Sequence, residues 1–247
     1  MVDTTLRIQS IETLGTHEGP GLRFVIFLQG CNWRCLYCHN PETQSLKGGI
    51  SMDIHVLITQ IEGCLPYFGQ SGGVTVSGGE PLLQTEAIIS LFSELKKRNI
   101  RTAIDTNGSF LTSLTEDLIS LTDLVLLDIK HINPKYHAQV TGCDHDEVPS
   151  LLFAKYLEKK KKPFWIRYVL VPEYSDQIED LEIFAKMAGK FKSLERIEIL
   201  PYHTLGVAKY EKLDRSYHLA HIDPPSKESV DQAKTILEQS GKPVFIR

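Results

Sequence analysis

The chain has 247 residues, of which 42% are apolar and 23% are charged, and its formal net charge is -4. A chain of this length can bury a substantial core as one domain, without disulfides or structural metals to stabilise it. The slight acidic excess provides no basic surface for a nucleic acid backbone, so we expect no nucleic acid partner.

The N-terminus and the cysteines indicate the compartment. The opening residues, MVDTTLRIQS, contain no apolar signal-peptide core, and the longest apolar run is far shorter than a membrane span. Five cysteines are an odd number and are unevenly spaced, which argues against a disulfide framework and favours a reducing environment. We therefore expect a soluble cytoplasmic protein that does not enter a membrane.

Short runs rich in Val, Ile and Leu alternate with longer segments of helical periodicity, which is typical of parallel β-α units. The six predicted strands are Leu22–Leu28, Gly73–Ser77, Arg101–Asp105, Leu124–Ile129, Phe164–Val171 and Glu195–Leu200. The predicted helices are Asp53–Leu65, Thr85–Arg98, Leu114–Leu121, Ser150–Lys161, Gln177–Phe191 and Ser226–Gln239.

Six units rather than eight predict an α/β fold of the incomplete (β/α)6 TIM-like barrel type, open on one side. We expect residues 1–247 to form a single domain, with an N-terminal extension of about 1–21 ahead of the first barrel strand. An open doubly wound sheet fits the same alternation. In a barrel, ligands bind at the C-terminal ends of the strands, and most of the predicted strands here end in polar or glycine-rich residues.

Three cysteines, Cys31, Cys35 and Cys38, lie within eight residues directly after the first predicted strand. They supply one thiolate fewer than the four protein ligands of a structural zinc site or a simple electron-transfer cluster. One interpretation is a zinc site completed by the adjacent His39, although zinc sites usually pair two separated ligand couples. The other is a four-iron cluster, because thiolates are soft ligands and three of them leave one iron open.

Further candidates follow the other strands. The turn Ser77–Pro81 contains paired glycines that let a ligand approach the backbone, and no Gly-Lys-Ser/Thr follows, which disfavours a phosphate loop. Asp105 and Asp128 each end a strand, where single carboxylates commonly cap helices or form turns. His203 follows the last strand and by itself indicates only a core histidine.

The cysteine spacing, with Tyr37 directly before the last cysteine, resembles the signature of the radical S-adenosylmethionine (SAM) superfamily. The resemblance implies a 4Fe-4S cluster held by Cys31, Cys35 and Cys38, with SAM chelating the open iron. Electron transfer then cleaves SAM to methionine and a 5′-deoxyadenosyl radical, which abstracts hydrogen from the substrate. No residue is expected to act as a general acid or base, since the protein positions the cofactor and excludes side reactions.

Almost the full chain resembles the glycyl-radical enzyme activases of that superfamily. The segments that carry this resemblance are GTHEGPG (15–21), FLQGCNWRCLYCHN (27–40), VTVSGGE (74–80), DTNG (105–108), LVLLDIK (124–130), WIRY (165–168) and LPYH (200–203). It implies removal of a hydrogen atom from one backbone glycine of a partner protein, pyruvate formate-lyase, in anaerobic glucose metabolism. Flavodoxin or ferredoxin is the implied reductant. We expect a monomer, because an open barrel side must stay free for a protein substrate.

The resemblance also implies roles for individual residues. Glu18 and Arg167 contact the substrate peptide, and Asp105 and Asp128 help to hold a monovalent cation beside the SAM carboxylate. Among the SAM-binding residues, the Gly78–Glu80 turn and Asp105 are implied at the amino group, Asp128 and Lys130 at the ribose, and His203 at the adenosine end. The full implied set is Tyr37, Cys38, His39, Gly78, Gly79, Glu80, Asp105, Asn107, Asp128, Ile129, Lys130 and His203.

Two residues depart from the family pattern, since Glu18 stands where Asp is usual and Pro81 where Ala is common. A longer acid still accepts a hydrogen bond, so we expect the first change to tune peptide binding. Cys64 has the helical spacing of a small buried apolar residue, and Cys143 lies in a polar run without a ligand motif.

The rival functions are activation of another glycyl-radical enzyme and a radical SAM reaction on a small molecule. Activases of other partners often contain an inserted ferredoxin-like domain with extra cysteine motifs, which this sequence lacks. Outside enzymes, the rivals are an iron-sulfur electron carrier and a zinc-stabilised binding module, for which so many ligand-bearing strand ends would serve no purpose.

Overall fold

The structure is a computed structural model that describes residues 4–247, so residues 1–3 of the predicted N-terminal extension lie outside the described residues. The chain forms two compact units. The first comprises the chain up to Asn32 together with Glu42–Leu126, and the second comprises Trp33–Pro41 and Leu127–Arg247. No helix within residues 4–247 is long and apolar enough to cross a membrane.

The first unit is a mixed sheet with three α-helices in its described part. Its strands are β1 (Thr5–Gly15), β2 (Arg23–Leu28), β3 (Ile50–Asp53), β4 (Gly73–Gly78), β5 (Thr102–Thr106) and the start of β6 (Leu124–Asp128), in the order β3-β1-β2-β4-β5-β6. Its helices are α1 (Ile54–Phe68), α2 (Thr85–Lys97) and α3 (Ser113–Leu121). β2, β4 and β5 run parallel, whereas β1 is antiparallel to β2 and β3.

The core of the first unit lies along its parallel strands, which are buried on both faces. Nearly every residue of β2 and β4 is buried, as expected for strands covered on two sides. α1 begins directly after β3, where the Asp53 side chain accepts a hydrogen bond of 2.8 Å from the backbone N–H of His55. Asp53 is therefore both the last residue of β3 and the N-cap of α1.

The second unit continues the β-α alternation. Its strands are the end of β6, then β7 (Phe164–Leu170), β8 (Leu194–Pro201) and β9 (Val244–Ile246), in that order. Its helices are α4 (Pro134–Thr141), α5 (Pro149–Lys159), α6 (Ile178–Ala188), α7 (Val207–Lys212) and α8 (Lys227–Glu238). β7 is parallel to β8, and β8 is parallel to β9.

The six predicted strands and the six predicted helices are all present, and each predicted strand boundary lies within one residue of the observed one. Within residues 4–247 the parallel strands of each unit follow chain order without a reversal. A doubly wound sheet reverses its strand order at a switch point, so that alternative is wrong.

Within residues 4–247, three strands and two α-helices were not predicted: β1, β3, β9, α4 and α7. β1 lies inside the predicted N-terminal extension, and register irregularities after Ile8 and after Glu12 interrupt its apolar alternation. β3, β9 and α7 are too short to show a period. α4 has a readable start, because Asn133 accepts a hydrogen bond of 3.0 Å from the N–H of Lys135 and Pro134 occupies the first helical position.

Candidate active site

The cysteine loop follows β2 and has little regular structure. All three motif cysteines are reduced, outside any disulfide, and partly exposed; Cys31 belongs to the first unit, and Cys35 and Cys38 belong to the second. In the second unit, the N–H groups of Arg34 and Leu36 donate to carbonyls at the end of α4, at 2.7 and 2.9 Å. α4, absent from the sequence prediction, thus holds the middle of the loop.

The structure does not by itself assign a metal to these thiols. Within residues 4–247, no group of three or more His, Cys, Asp or Glu side chains converges on a point where one metal ion could bind. The assignment of the three cysteines to one cluster stays a prediction from their spacing.

The turn after β4 requires both of its glycines. Gly78 has a φ of 109°, and a Cβ there would lie 2.2 Å from the backbone nitrogen of Leu28. A Cβ on Gly79 would lie 1.9 Å from the carbonyl oxygen of Gly30. The backbone N–H of Glu80 donates to that same oxygen at 2.7 Å. This turn therefore packs backbone against backbone on the residue that precedes Cys31.

The Glu80 carboxylate is committed to hydrogen bonds within the first unit. The residue is 1% exposed, and its carboxylate accepts from Leu82 N at 2.9 Å, Thr106 Oγ1 at 2.5 Å and Asn107 N at 2.8 Å. Burial raises the pKa of Glu80 to about 7, although the hydrogen bonds from Thr106, Asn107 and Leu82 partly offset it. Glu80 thus joins the turn after β4 to the end of β5, and its predicted contact with SAM stays a prediction.

Asp105 and Asn107 lie at the end of β5 in a polar chain. Ser77 Oγ donates to Asp105 Oδ2 at 2.8 Å, and Asn107 Nδ2 donates to Asn32 Oδ1 at 3.2 Å. Asn32 in turn donates to Ser109 Oγ at 2.9 Å. The sequence prediction missed Asn32, and its place directly after Cys31 was the available signal.

Asp128, Ile129 and Lys130 follow β6 in the second unit. Lys130 Nζ lies 2.7 Å from Asp128 Oδ2 and 5.7 Å from the centre of the Tyr37 ring. Burial, the largest single cause, lowers the pKa of Lys130, but the charges of Asp128, Tyr37 and Cys35 and the hydrogen bond to Asp128 together outweigh it and raise the pKa above its ordinary value. Ile129 is fully buried, and the Tyr37 hydroxyl is buried without a hydrogen-bond partner among the described residues. Asp128 and Lys130, which the sequence predicts at the ribose of SAM, therefore already form an ion pair beside Tyr37.

His39 and His203 meet in the second unit. Their ring centres are 5.0 Å apart at an interplanar angle of 82°, an edge-to-face arrangement. Gly206 passes beneath them, since a Cβ there would lie 3.3 Å from His39 Nδ1. The structure thus places together two residues that the sequence separates by more than 160 positions.

Glu18 lies in the loop between β1 and β2, at the end of the parallel strands opposite the Gly78–Glu80 turn. Its carbonyl accepts a hydrogen bond of 2.6 Å from Thr75 Oγ1, and Thr75 accepts one of 2.9 Å from Arg23 Nε. Arg23 is 1% exposed, and burial lowers its pKa to about 10. A buried cation therefore fixes the backbone at Glu18.

Arg167 lies in β7, directly beside Glu198 of β8 in the strand register. Its Nε is 3.8 Å from Glu198 Oε2, and Glu198 is fully buried. The same carboxylate pairs with Arg196 at 2.6 Å and with Arg247 at 3.2 Å. One buried negative charge is thus shared among three arginines, an arrangement that the sequence prediction missed because it depends on pairing across three strands.

Comparison with known proteins identifies the family of the chain. Residues 25–185 match the model of the radical SAM superfamily. Over 243 residues the chain is 42% identical to a pyruvate formate-lyase-activating enzyme of Staphylococcus epidermidis, covering 95% of this chain and 96% of the relative.

Two solved structures are similar in fold. A domain of a pyruvate-formate lyase-activating enzyme from Bacteroides vulgatus gives a TM-score of 0.59 at 24% identity, covering 71% of this chain and 99% of that one. A radical SAM methyltransferase from Sphaerobacter thermophilus gives 0.66 at 15% identity, covering 91% of this chain and 66% of that one. These similarities confirm the predicted fold class, the α/β fold of radical SAM enzymes. The chain therefore belongs to the radical SAM superfamily and, within it, to the family of the pyruvate formate-lyase-activating enzymes.

Proposed function

We propose that this protein activates pyruvate formate-lyase by removing a hydrogen atom from one of its backbone glycines, which leaves a glycyl radical on that partner. The observation that carries the proposal is the match over 95% of the chain to a relative named for this activity. We further propose that residues 1–247 act as a single functional domain, monomeric and cytoplasmic, with flavodoxin or ferredoxin as the reductant.

The superfamily implies a 4Fe-4S cluster and SAM, and the residues present fit both groups. Cys31, Cys35 and Cys38 are reduced cysteines outside any disulfide, and thiolates are the ligands that iron-sulfur clusters select. The turn at Gly78 and Gly79 must be glycine because a Cβ at either position would meet the backbone of Leu28 or Gly30, and we propose that the face of this side-chain-free backbone turned away from that packing contacts SAM. When bound, the two groups supply one-electron cleavage of SAM and abstraction of a hydrogen atom.

The second-unit residues suit the nucleoside part of SAM. Asp128 and Lys130 already form an ion pair, so their polar groups need little rearrangement when a ribose binds. The edge-to-face pair of His39 and His203 offers aromatic surface for an adenine. Tyr37 and Ile129 are proposed to pack around this part of the ligand.

The first-unit residues suit the amino acid part of SAM. Asp105, near the end of β5, and Asn107, directly after it, have polar side chains, and Glu80 fixes that strand end to the Gly78–Gly79 turn. We propose that Asp105, together with Asp128, also contributes to a monovalent cation site.

Glu18 and Arg167 are the proposed contacts to the glycine-bearing segment of the partner. A carboxylate accepts peptide N–H groups, and a guanidinium donates to peptide carbonyls, so the two suit the two polar groups of a backbone. Glu18 has a fixed backbone through Thr75, and Arg167 has a fixed partner in Glu198. Both are thus held by buried neighbours.

The decisive experiment incubates the reduced, anaerobically prepared protein with SAM and candidate glycyl-radical enzymes. An organic radical appears by electron paramagnetic resonance on pyruvate formate-lyase if the proposal is right. A radical on a different candidate alone would show the wrong partner, and zinc without iron in the purified protein would refute the cofactor assignment.

Cysteine variants test the ligand set. Cys35→Ser is expected to abolish the cluster spectrum and SAM cleavage, because a cluster held by two thiolates is not retained. Cys64→Ser is the matched control, since Cys64 lies in α1 outside the motif. Full activity of Cys35→Ser would contradict the assignment of Cys35 as a cluster ligand.

A further inference from the structure

The segment containing α7 holds the end of the cysteine loop. Lys209 Nζ donates to Asn40 Oδ1 at 2.7 Å, and Tyr210 OH donates to the carbonyl oxygen of Cys38 at 3.1 Å. Arg215 Nη1 donates to the carbonyl oxygen of Pro41 at 3.4 Å. Residues 38–41 are therefore bonded from residues 209–215, about 170 positions later in the chain.

Of the three side chains that make these contacts, Tyr210 is buried, Lys209 is partly buried and Arg215 is exposed. Tyr210 is 3% exposed, and its ring meets Tyr217 edge-to-face with centres 4.9 Å apart. The guanidinium of Arg215 lies 5.5 Å from the centre of the Tyr210 ring. Burial of this ring fixes where its hydroxyl lies, so the hydrogen bond to Cys38 has one defined geometry.

The contacts with the cysteine loop also stabilise α7 itself. The helix has only six residues, and Tyr210 is its one buried side chain in the described structure. A helix this short is unstable alone in water, because nucleation costs more than a single turn returns. The bonds that Lys209 and Tyr210 make to the cysteine loop therefore help to hold the helix in place, together with the packing of the Tyr210 ring.

The positive charge of Lys209 is a second feature of its contact with Asn40. Asn40 lies two residues after Cys38, so their Cα atoms are within about 7 Å of each other. Lys209 thus places a positive charge next to the loop that carries the last cysteine. Reduction of an iron-sulfur cluster adds one negative charge, and the reduction potential responds to nearby charge and hydrogen bonds.

We propose that Lys209 and Tyr210 are positioning residues for the cluster: Tyr210 fixes the backbone of Cys38, and Lys209 makes the cluster easier to reduce. The proposal rests on the proposed function, because it needs a cluster bound at Cys38. It concerns this chain's means of holding and tuning that cluster, which neither the cysteine motif nor the SAM-binding strand ends provide.

The charge part is tested by measuring the reduction potential of the reconstituted holoenzyme by anaerobic spectroelectrochemistry. Lys209→Met is expected to shift the reduction equilibrium about tenfold toward the oxidised cluster, which lowers the midpoint by about 59 mV for one electron. Lys212→Met is the matched control, because Lys212 is an exposed residue of the same helix, and it should change the equilibrium less than twofold. Equal potentials in Lys209→Met and the wild type would overturn the proposal.

A neutral variant that keeps the hydrogen bond covers the case in which Lys209→Met loses its cluster. Lys209→Gln retains a donor for Asn40 without the charge, and it should show the same downward shift. Lys209→Arg retains both and should keep the wild-type potential. A wild-type potential in Lys209→Gln would overturn the charge assignment even if the other variant were not loaded.

The positioning part is tested with Tyr210→Phe, which keeps the buried ring and removes only the hydroxyl. We expect the cluster of this variant to be lost to an iron chelator at least threefold faster than that of the wild type. Tyr67→Phe is the control, since Tyr67 is an exposed tyrosine of α1. Identical rates for all three proteins would overturn the positioning role.

The outcomes separate this inference from the function on which it rests. If the wild-type protein holds no 4Fe-4S cluster, the proposed function fails and the inference fails with it. If the wild type holds a cluster and cleaves SAM, but the Lys209 and Tyr210 variants match it in potential and chelation rate, only the inference fails.

Discussion

Replacing Glu80 by Gln is predicted to change how the stability of the protein depends on pH. Glu80 is 1% exposed and accepts hydrogen bonds from Leu82, Thr106 and Asn107. Burial raises its pKa from 4.5 to about 7, so between these values the folded protein binds the proton more tightly than the unfolded chain. The stability from this difference is fully present below pH 4.5 and is lost as the pH rises through about 7.

The magnitude follows from the two pKa values. Integrating the proton linkage from pH 5 to pH 8 gives a loss of about 2.5 kcal/mol in the free energy of unfolding. A glutamine side chain cannot ionise, so the fall over this range should be smaller by about that amount in the variant. The amide also replaces one acceptor oxygen by a donor, which leaves a buried N–H without a partner and costs about 1–3 kcal/mol. To a first approximation this cost is independent of pH and cancels in the comparison.

The assay is urea denaturation of the anaerobic holoenzyme, followed by far-ultraviolet circular dichroism at pH 5 and pH 8. Glu86→Gln is the matched control, because Glu86 is exposed in the first turn of α2 and should keep the wild-type pH dependence. Parallel pH profiles for Glu80→Gln and the wild type would refute the reasoning, since they would mean that Glu80 titrates alike in the folded and unfolded chains.

Two further substitutions test the site. Gly79→Ala places a Cβ 1.9 Å from the carbonyl oxygen of Gly30, just ahead of the cysteine motif, so we expect the affinity for SAM, measured by equilibrium dialysis, to fall at least tenfold. Gly63 lies in α1, where an added Cβ meets nothing within 4 Å, so Gly63→Ala should instead raise the free energy of unfolding by about 0.5–1 kcal/mol. Glu198→Gln removes the fully buried charge beside Arg167, and we expect the KM for the partner protein to rise about tenfold while SAM cleavage without partner is unchanged. Glu195→Gln, on the exposed side of the same strand, should alter neither quantity.

The parallel strands could be predicted from the sequence because each is a short run rich in Val, Ile, Leu or Phe, as in residues 24–28 of β2 and in Val74 and Val76 of β4. β1 could not, because two register irregularities break its alternation and its stability comes from pairing with β2 and β3. The same limit applies to helices, since α7 has a single buried residue and no period to detect.

The candidate site divides in the same way. The cysteine spacing and the paired glycines each lie within a few consecutive residues, so their chemistry could be predicted directly from the sequence. The commitment of Glu80 to Thr106 and Asn107 is not local, because it depends on which strand ends meet. The bond from Tyr210 to Cys38 spans 172 positions and has no local signal at all.

β4 links the two proposed tasks of the first unit. Near its start, Thr75 holds the carbonyl of Glu18, and directly after its end lies Gly79. The strand rises about 3.3 Å per residue, so these two points are separated by about 13 Å along a buried, parallel-paired strand. Because both ends belong to one rigid element, the spacing between the peptide contact and the cofactor turn is set by strand length rather than by a flexible loop. Changes in the Glu18 loop should therefore alter peptide binding alone, whereas changes within β4 should alter peptide and cofactor binding together.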